Sequence, residues 1–197
     1  MTLKKSILLI NLILLIDQIS KIYIKTTFQL HEEVGVFSWF RILFVENDGM
    51  AWGAKIPGTY GKLILTLFRL VAIVGIGYWL WDSARKQSSG ILLTAVALIF
   101  AGAMGNIIDS VFYGIIFDAS YGNVATAFSE EPYGTLFHGK VVDMLSFPLY
   151  NGTLPSWMPI LGGERFTFFD PVFNVADVAI STGVGMLVVF NKKTFPK

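Results

Sequence analysis

Four long apolar stretches dominate the pattern of hydrophobic and polar positions along the chain. They cover residues 6–24, 63–81, 91–113 and 172–190. A helix needs about 20 mostly apolar residues to cross a hydrocarbon layer about 30 Å thick, and each stretch approaches that length. The pattern therefore predicts four transmembrane helices within a single domain that covers residues 1–197.

The two long segments between these helices differ in character. Residues 28–56 contain short aromatic and β-branched runs, such as VFSWFRILFV at 36–45, which are interrupted by glycine and proline. Such runs are typical of strands, and they predict a small β-rich unit on the membrane surface, here called the cradle. Residues 114–171 are rich in glycine, proline and aromatic residues without periodicity, and they predict an irregular loop. The predicted fold is thus an all-α membrane protein with a small β-rich cradle.

Basic residues predict how the helices are oriented. They lie in the N-terminal segment, in the short loop between the second and third helices, and in the C-terminal tail, as Lys4, Lys5, Arg85, Lys86, Lys192, Lys193 and Lys197. The positive-inside rule therefore places both termini in the cytoplasm and both long segments outside. These features predict a multi-pass membrane protein whose functional site lies near the outer face.

Composition narrows the classes of function. Apolar residues make up 54% of the chain, more than a water-soluble domain ordinarily carries. The net charge of +1 gives no sign of a nucleic-acid partner. The chain has no cysteine, and its two histidines lie far apart in sequence, so neither thiolate nor histidine clusters are available for a metal. We expect no metal and no other cofactor.

Several polar residues interrupt the apolar stretches. They are Asp17, Gln18 and Lys21 in the first helix, Asn106 and Asp109 in the third, and Asn174 and Asp177 in the fourth. A charge near the centre of such a helix costs about 2.5–3.5 kcal/mol, so these side chains should face one another inside the bundle. A rise of about 1.5 Å per residue places all three groups in the outer half of the bilayer. Asp17 and Lys21 are spaced i, i+4, and for this pair a purely structural role is the favoured interpretation.

One further acid lies outside the helices. Asp143 is part of the apolar segment GKVVDMLSFP at 139–148, where a lone aspartate is ordinarily a turn or cap residue. Asp177 is expected at a similar depth, and no basic residue of the fourth helix neutralises it. Two carboxylates brought close in a low dielectric hold one proton between them, which supplies an acid and a base together. This is the chemistry of aspartic proteases.

Five sequence blocks resemble the signatures of a known family. DQISK (17–21), VENDGMAWG (45–53), GAMGNIID (102–109), KVVDM (140–144) and FNVADVAI (173–180) are similar, in this order, to those of lipoprotein signal peptidase, also called signal peptidase II. The resemblance implies a metal-free intramembrane aspartic endopeptidase. Its substrate would be a prolipoprotein that carries diacylglyceryl on a cysteine, cut on the N-terminal side of that cysteine. Membrane lipids would be the other partner, and the enzyme would act as a monomer.

The resemblance also implies roles for individual residues. Asp143 and Asp177 would form the catalytic pair, and Asn174 would position Asp177. The other matching positions, which would shape the site or bind substrate, are Asp17, Lys21, Asn47, Gly49, Gly105, Asn106 and Asp109.

The chain departs from the family at one position near these residues. Many members have arginine where this chain has Ser110, so a basic group is missing there. Arg69, near the outer end of the second helix, is a candidate to replace it. The alternative is that Arg69 extends its side chain to the outer headgroups.

Two other classes of function are compatible with buried polar residues. A small proton-linked transporter subunit would need polar groups at every depth of the bilayer, whereas here they concentrate near one face. A non-catalytic assembly factor would use the same residues only to hold helices together. Retained function after loss of both Asp143 and Asp177 would favour the assembly factor.

Overall fold

A computed structural model describes residues 1–48, 60–148, 150–153, 155–157, 163–168 and 171–195. The helices are α1 (Leu3–Lys25), α2 (Gly61–Arg85), α3 (Gly90–Ile108), α4 (Gly114–Ile116), α5 (Val175–Val189) and α6 (Asn191–Thr194). The strands are β1 (Glu33–Phe37), β2 (Phe40–Asn47), β3 (Val141–Ser146), β4 (Tyr150–Thr153), β5 (Arg165–Phe168) and β6 (Val172–Phe173). A π-helical turn, Asp109–Tyr113, joins α3 to α4 without a break.

Three helices of the described residues are long and apolar enough to cross a membrane. They are α1, α2 and the continuous helix Gly90–Ile116. Helices α1 and α2 extend a few residues beyond the predicted 6–24 and 63–81, because their flanking residues continue the helical turns. The multi-pass character predicted from the sequence is thereby confirmed.

The predicted fourth span is wrong at its beginning. Val172 and Phe173 form strand β6, and α5 begins only at Val175, after Asn174 caps it. The helix has 15 residues, fewer than the about 20 that a complete crossing needs. Two apolar residues next to a helix cannot be distinguished from its first turn by hydropathy alone.

Helix α3 is the centre of the helical bundle. It packs against α1, α2 and α5, and it buries side chains such as Leu93, Val96 and Ala97 between them. A Cβ atom on Gly102 would lie 2.2 Å from the carbonyl oxygen of Ala176, so glycine is required for α5 to come this close. Close packing of α5 on α3 therefore depends on this glycine.

The outer faces of α1 and α2 are strongly apolar. Leu8, Phe68, Val71 and Val74 each expose at least 70% of their surface. Large exposed apolar surfaces on these two long helices are suited to lipid rather than to water.

The sheet is larger than the sequence predicts. Strands β1 and β2 form a hairpin within the predicted cradle, and β3, from the segment 114–171, and β6, which follows that segment, extend it to the antiparallel order β1-β2-β3-β6. The prediction that 114–171 is irregular is therefore wrong for β3 and for the β4–β5 hairpin. In the register of β2 with β3, Val45 pairs with Asp143 and Asn47 with Val141. The fold is mainly helical, and both long segments contribute to its sheet.

The π-helical turn positions strand β3. Carbonyl groups of this turn accept backbone hydrogen bonds from the loop that precedes the strand: Gly139 N donates to Ser110 O at 2.9 Å, and Phe137 N to Val111 O at 3.0 Å. A Cβ atom on Gly139 would lie 2.0 Å from the carbonyl oxygen of Asp109, so only glycine fits there. The chain is thus held against α3 immediately before it enters β3.

Candidate active site

Polar side chains of α1, α3 and α5 meet in one buried network. Lys21 Nζ lies 2.9 Å from Asp17 Oδ2, 2.8 Å from Asp109 Oδ2 and 2.8 Å from Asn106 Oδ1. The three charged side chains are fully buried. Asp17 Oδ1 also accepts a hydrogen bond from Ala176 N at 2.9 Å, which ties α1 to the first turn of α5. The structural role expected for Asp17 and Lys21 is consistent with these contacts.

Lys21 determines which way the amide of Asn106 points. An ammonium group only donates hydrogen bonds, so the oxygen of Asn106 must face Lys21 and its NH₂ must face away. That NH₂ donates to Asp177 Oδ1 at 2.8 Å. The buried charge of Lys21 thus orients the hydrogen bond from Asn106 to Asp177, one of the two candidate catalytic acids.

Asn174 contacts both candidate catalytic acids. As the N-cap of α5 it forms a capping box with Asp177: Asn174 Oδ1 accepts from Asp177 N at 2.9 Å, and Asn174 N donates to Asp177 Oδ2 at 3.2 Å. Its Nδ2 donates to Asp143 Oδ1 at 2.7 Å and to Asn106 Oδ1 at 3.1 Å. Asp143 and Asp177 therefore lie on either side of one asparagine.

Asp143 is 5% exposed, and it receives a second donor from the cradle. Asn47 Nδ2 donates to Asp143 Oδ2, while Asn174 Nδ2 bonds the other oxygen. Burial, assisted by the negative charge of Asp177, raises the pKa of Asp143 to about 7, against the opposing effect of these hydrogen bonds and of Lys21. Asp177 is half-buried. The pair therefore combines a carboxyl that holds a proton near neutral pH with a more accessible carboxylate.

Arg69 is the predicted replacement for the basic group that is missing at position 110. Its guanidinium is close enough for its charge to interact with Asp177. Its Nη1 atom is buried and has no hydrogen-bond partner among the described residues. The hydroxyl of Ser110 donates to the backbone carbonyl of Asn106 at 2.9 Å.

The remaining predicted positions are two glycines. A Cβ atom on Gly105 would lie 2.6 Å from Asp17 Oδ2, so this glycine lets α1 approach α3 beside the buried charges. Gly49 lies outside the described residues.

Gln18, predicted only to face the interior of the bundle, also belongs to this network. Its amide nitrogen donates to Asp17 Oδ2 and to Asp109 Oδ1, both at 3.0 Å, and its oxygen accepts from the Tyr113 hydroxyl at 3.2 Å. Its place inside the DQISK block is the signal that could have found it. Among the described residues, no group of three or more His, Asp or Glu side chains could hold a metal ion.

Comparisons with known proteins point to one family. The sequence model for the family described as signal peptidase (SPase) II matches residues 9–192. A lipoprotein signal peptidase from Porphyromonas gingivalis is 49% identical over 188 residues, which covers 94% of this chain and 82% of that protein. Another, from Amoebophilus asiaticus, is 38% identical over 183 residues and covers 90% of this chain and 73% of that protein.

The fold is also similar to solved structures. One described as a bacterial membrane enzyme superposes with a TM-score of 0.66 at 23% identity. The superposition covers 99% of this chain and 92% of that chain. A second of the same description has a TM-score of 0.64 at 22% identity, with 98% and 96% covered. At these identities the likeness shows a common fold.

Proposed function

The chain belongs to the signal peptidase II family, and on this premise we propose that Asp143 and Asp177 are its catalytic pair. The protein is an aspartic peptidase that removes signal peptides from lipoprotein precursors. The residue assignment rests on a partner that the two acids share. Asn174 donates a hydrogen bond to the carboxylate of Asp143, and it forms the capping box of α5 with Asp177.

The two acids are suited to different parts of the reaction. Asp177, the more exposed, takes a proton from a water molecule, whose oxygen then bonds to the carbonyl carbon of the scissile peptide. Asp143 keeps its proton near neutral pH because it is buried, and it donates a hydrogen bond to the carbonyl oxygen as negative charge develops there. The carbon–nitrogen bond then breaks, and a proton passes to the leaving amine.

The asparagines and buried charges position this pair. Asn47 and Asn174 direct their NH₂ groups to Asp143, and Asn106 directs its own to Asp177. Asp17, Lys21 and Asp109 hold Asn106 and the start of α5 in place, while Gly105 allows the helices to come close. Gly49, adjoining the cradle strand β2, remains a candidate for substrate contact.

We further propose a four-crossing topology in the inner membrane. Helix α5 and its flanking residues would complete the fourth crossing, with both termini cytoplasmic and the catalytic pair near the periplasmic face. The basic residues at both ends of the chain and between α2 and α3 support this orientation. A monomer suffices for it, because α1, α3, α5, β2 and β3 of one chain supply all the described groups of the site.

The substrate proposed for this site is a prolipoprotein carrying diacylglyceryl on the cysteine that follows the cut. The lipid-facing helices support it, because an acylated peptide would be retained beside them in the membrane. The peptide would enter between the sheet and the helices, where Asp143 on β3 faces Asp177 on α5.

The rival functions are not supported. A transporter would need a polar path across the bilayer, whereas Ile10, Leu80, Leu93 and Val96 are among the buried residues that form an apolar cluster between α1, α2 and α3. Family membership in the peptidases also argues against a purely structural assembly factor.

Amide substitutions of each acid test the catalytic assignment. Asp143→Asn and Asp177→Asn retain the size of the side chain but cannot exchange a proton, so each should lower the cleavage rate by about 10³-fold or more. The assay is a gel shift with purified enzyme and a diacylglyceryl prolipoprotein. Asp82→Asn is the matched control. Asp82 lies near the C-terminal end of α2 in a partly exposed pair with Lys86, and this variant should cleave normally. Near-normal turnover by either test variant would refute the assignment.

A further inference from the structure

A second buried ion pair lies beside the catalytic network and takes no part in it. Lys25, the last residue of α1, is fully buried, and the Glu46 side chain on β2 is 5% exposed. Lys25 Nζ contacts the Glu46 carboxylate and donates to Ser120 Oγ at 2.8 Å. Ser120 Oγ in turn donates to Glu46 Oε1 at 3.0 Å, and Lys140 Nζ lies 3.5 Å from Glu46 Oε2 at the edge of the cluster.

Aromatic rings surround the ammonium of Lys25. Its Nζ lies 5.9 Å from the ring centre of Phe44, 5.3 Å from that of Phe117 and 4.9 Å from that of Tyr133. Cation–π attraction favours this arrangement. Removing two charges from water is nevertheless costly, and well-packed apolar residues often serve stability as well as or better than a buried ion pair. The pair therefore calls for a role other than stability.

The geometry of the sheet indicates that role. Neighbouring residues of a strand point to opposite faces, so Glu46 faces the Lys25 cluster while Asn47 faces Asp143. The register between β2 and β3 shifts between Ile42 and Val45. Beyond such an irregularity the earlier pairs no longer determine the alignment of the strand, and a slip of one residue would turn Asn47 away from Asp143.

We propose that Lys25 and Glu46 are positioning residues: their pairing fixes the register of β2 after its irregularity and so holds Asn47 on the catalytic Asp143. The segment 117–133 takes part, because Phe117, Ser120 and Tyr133 surround the pair. Part of the segment 114–171 thereby supports the active site. This inference rests on the proposed role of Asp143.

The test is a double variant that removes both buried charges together. Lys140, which also pairs with Glu46, is 43% exposed and is solvated by water in this variant. Lys25→Met/Glu46→Leu should keep the thermal midpoint of the wild type within a few degrees, since apolar residues of similar volume replace the pair. Its kcat should nevertheless fall about 10- to 100-fold, because a displaced Asn47 no longer orients Asp143. KM should change little. The alkaline limb of the pH–rate profile should move to higher pH, since Asp143 loses a donor that stabilises its charged form.

A surface pair on the same sheet provides the control. Arg41 Nη1 lies 3.1 Å from Glu33 Oε1, and Glu33 is 46% exposed, so Glu33→Gln should leave kcat and the pH profile unchanged. Wild-type kcat and pH profile in a folded double variant would overturn the proposal, as would an equal loss in Glu33→Gln. Failure of the catalytic assignment is read separately, from the turnover of Asp143→Asn and Asp177→Asn.

Discussion

Three asparagines direct their NH₂ groups at the proposed catalytic pair. Asn47 and Asn174 donate to Asp143, and Asn106 donates to Asp177. Hydrogen bonds to a carboxylate favour its charged form, whereas burial favours the neutral form. The balance between the two keeps Asp143 able to gain and lose a proton near neutral pH, which a general acid requires.

An alkaline limit near neutral pH is expected for cleavage. Burial and the charge of Asp177 raise the pKa of Asp143 to about 7, and the protonated form is the one proposed to bond the carbonyl oxygen. The value of kcat/KM should therefore fall as the pH rises through about 7. Asn47→Ala removes a donor to the charged form, so its pKa should rise and the limb should move to higher pH. A limb that stays in place or moves to lower pH in Asn47→Ala would contradict this account.

Arg69 should contribute to substrate binding through its buried Nη1, for which the described part of the chain provides no hydrogen-bond partner. A substrate oxygen placed there would satisfy the buried donor, and a planar guanidinium can bond two oxygens where an ammonium presents a point charge. Arg69→Ala should raise KM about tenfold, and Arg69→Lys should raise it less. Arg85→Ala, at the C-terminal end of α2 where the guanidinium stacks on Trp81, is the control. Equal, mild effects of both Arg69 variants would leave Arg69 as an interfacial anchor.

At the scale of elements, the sequence predicts the helices better than the sheet. A long apolar run is a local signal, so α1, α2 and most of α3 follow from it directly. Strand β6 pairs with β3 through residues such as Phe173 and Leu145, which are distant in sequence, and no local pattern reports that pairing. The π-helical turn depends on backbone bonds from a loop outside the helix. The acids of the site were predictable because charged residues in apolar segments are costly, whereas Lys25 at a helix end resembles an ordinary interfacial lysine.

The contact between α3 and α5 should be intolerant of any added side chain. In Gly102→Ala the new methyl group would meet the Ala176 carbonyl oxygen at 2.2 Å, so α5 must move, together with Asn174 and Asp177. Cleavage should fall about 10²-fold, and the thermal midpoint should drop as well. Gly185→Ala, on α5 but with no atom within 4 Å of the new methyl group, is the matched control and should be tolerated. Normal cleavage by Gly102→Ala would show that the helices adjust without moving the pair.

Across the whole molecule, the site lies where two kinds of packing meet. Apolar side chains such as Leu93 and Val96 fill the space between α1, α2 and α3. A second cluster, which includes Phe44, Val142 and Met144, holds the sheet against the bundle near the C-terminal end of α1. Asp143 comes from the sheet and Asp177 from the bundle, so the proposed catalytic pair forms only when both are assembled.

This placement predicts that the lipid on the substrate acts chiefly by delivering the peptide. Each buried methylene contributes about 0.8 kcal/mol to membrane retention, so two acyl chains would hold a precursor beside the lipid-facing helices. Retention turns a search through solution into one along a surface, without requiring that the lipid touch the reacting atoms. The same prolipoprotein without diacylglyceryl should therefore be cut poorly or not at all in the same bilayer. The measurement is the cleavage rate of the two forms, with Asp143→Asn as the background. Equal rates would leave the chain a membrane peptidase whose specificity lies in the peptide alone.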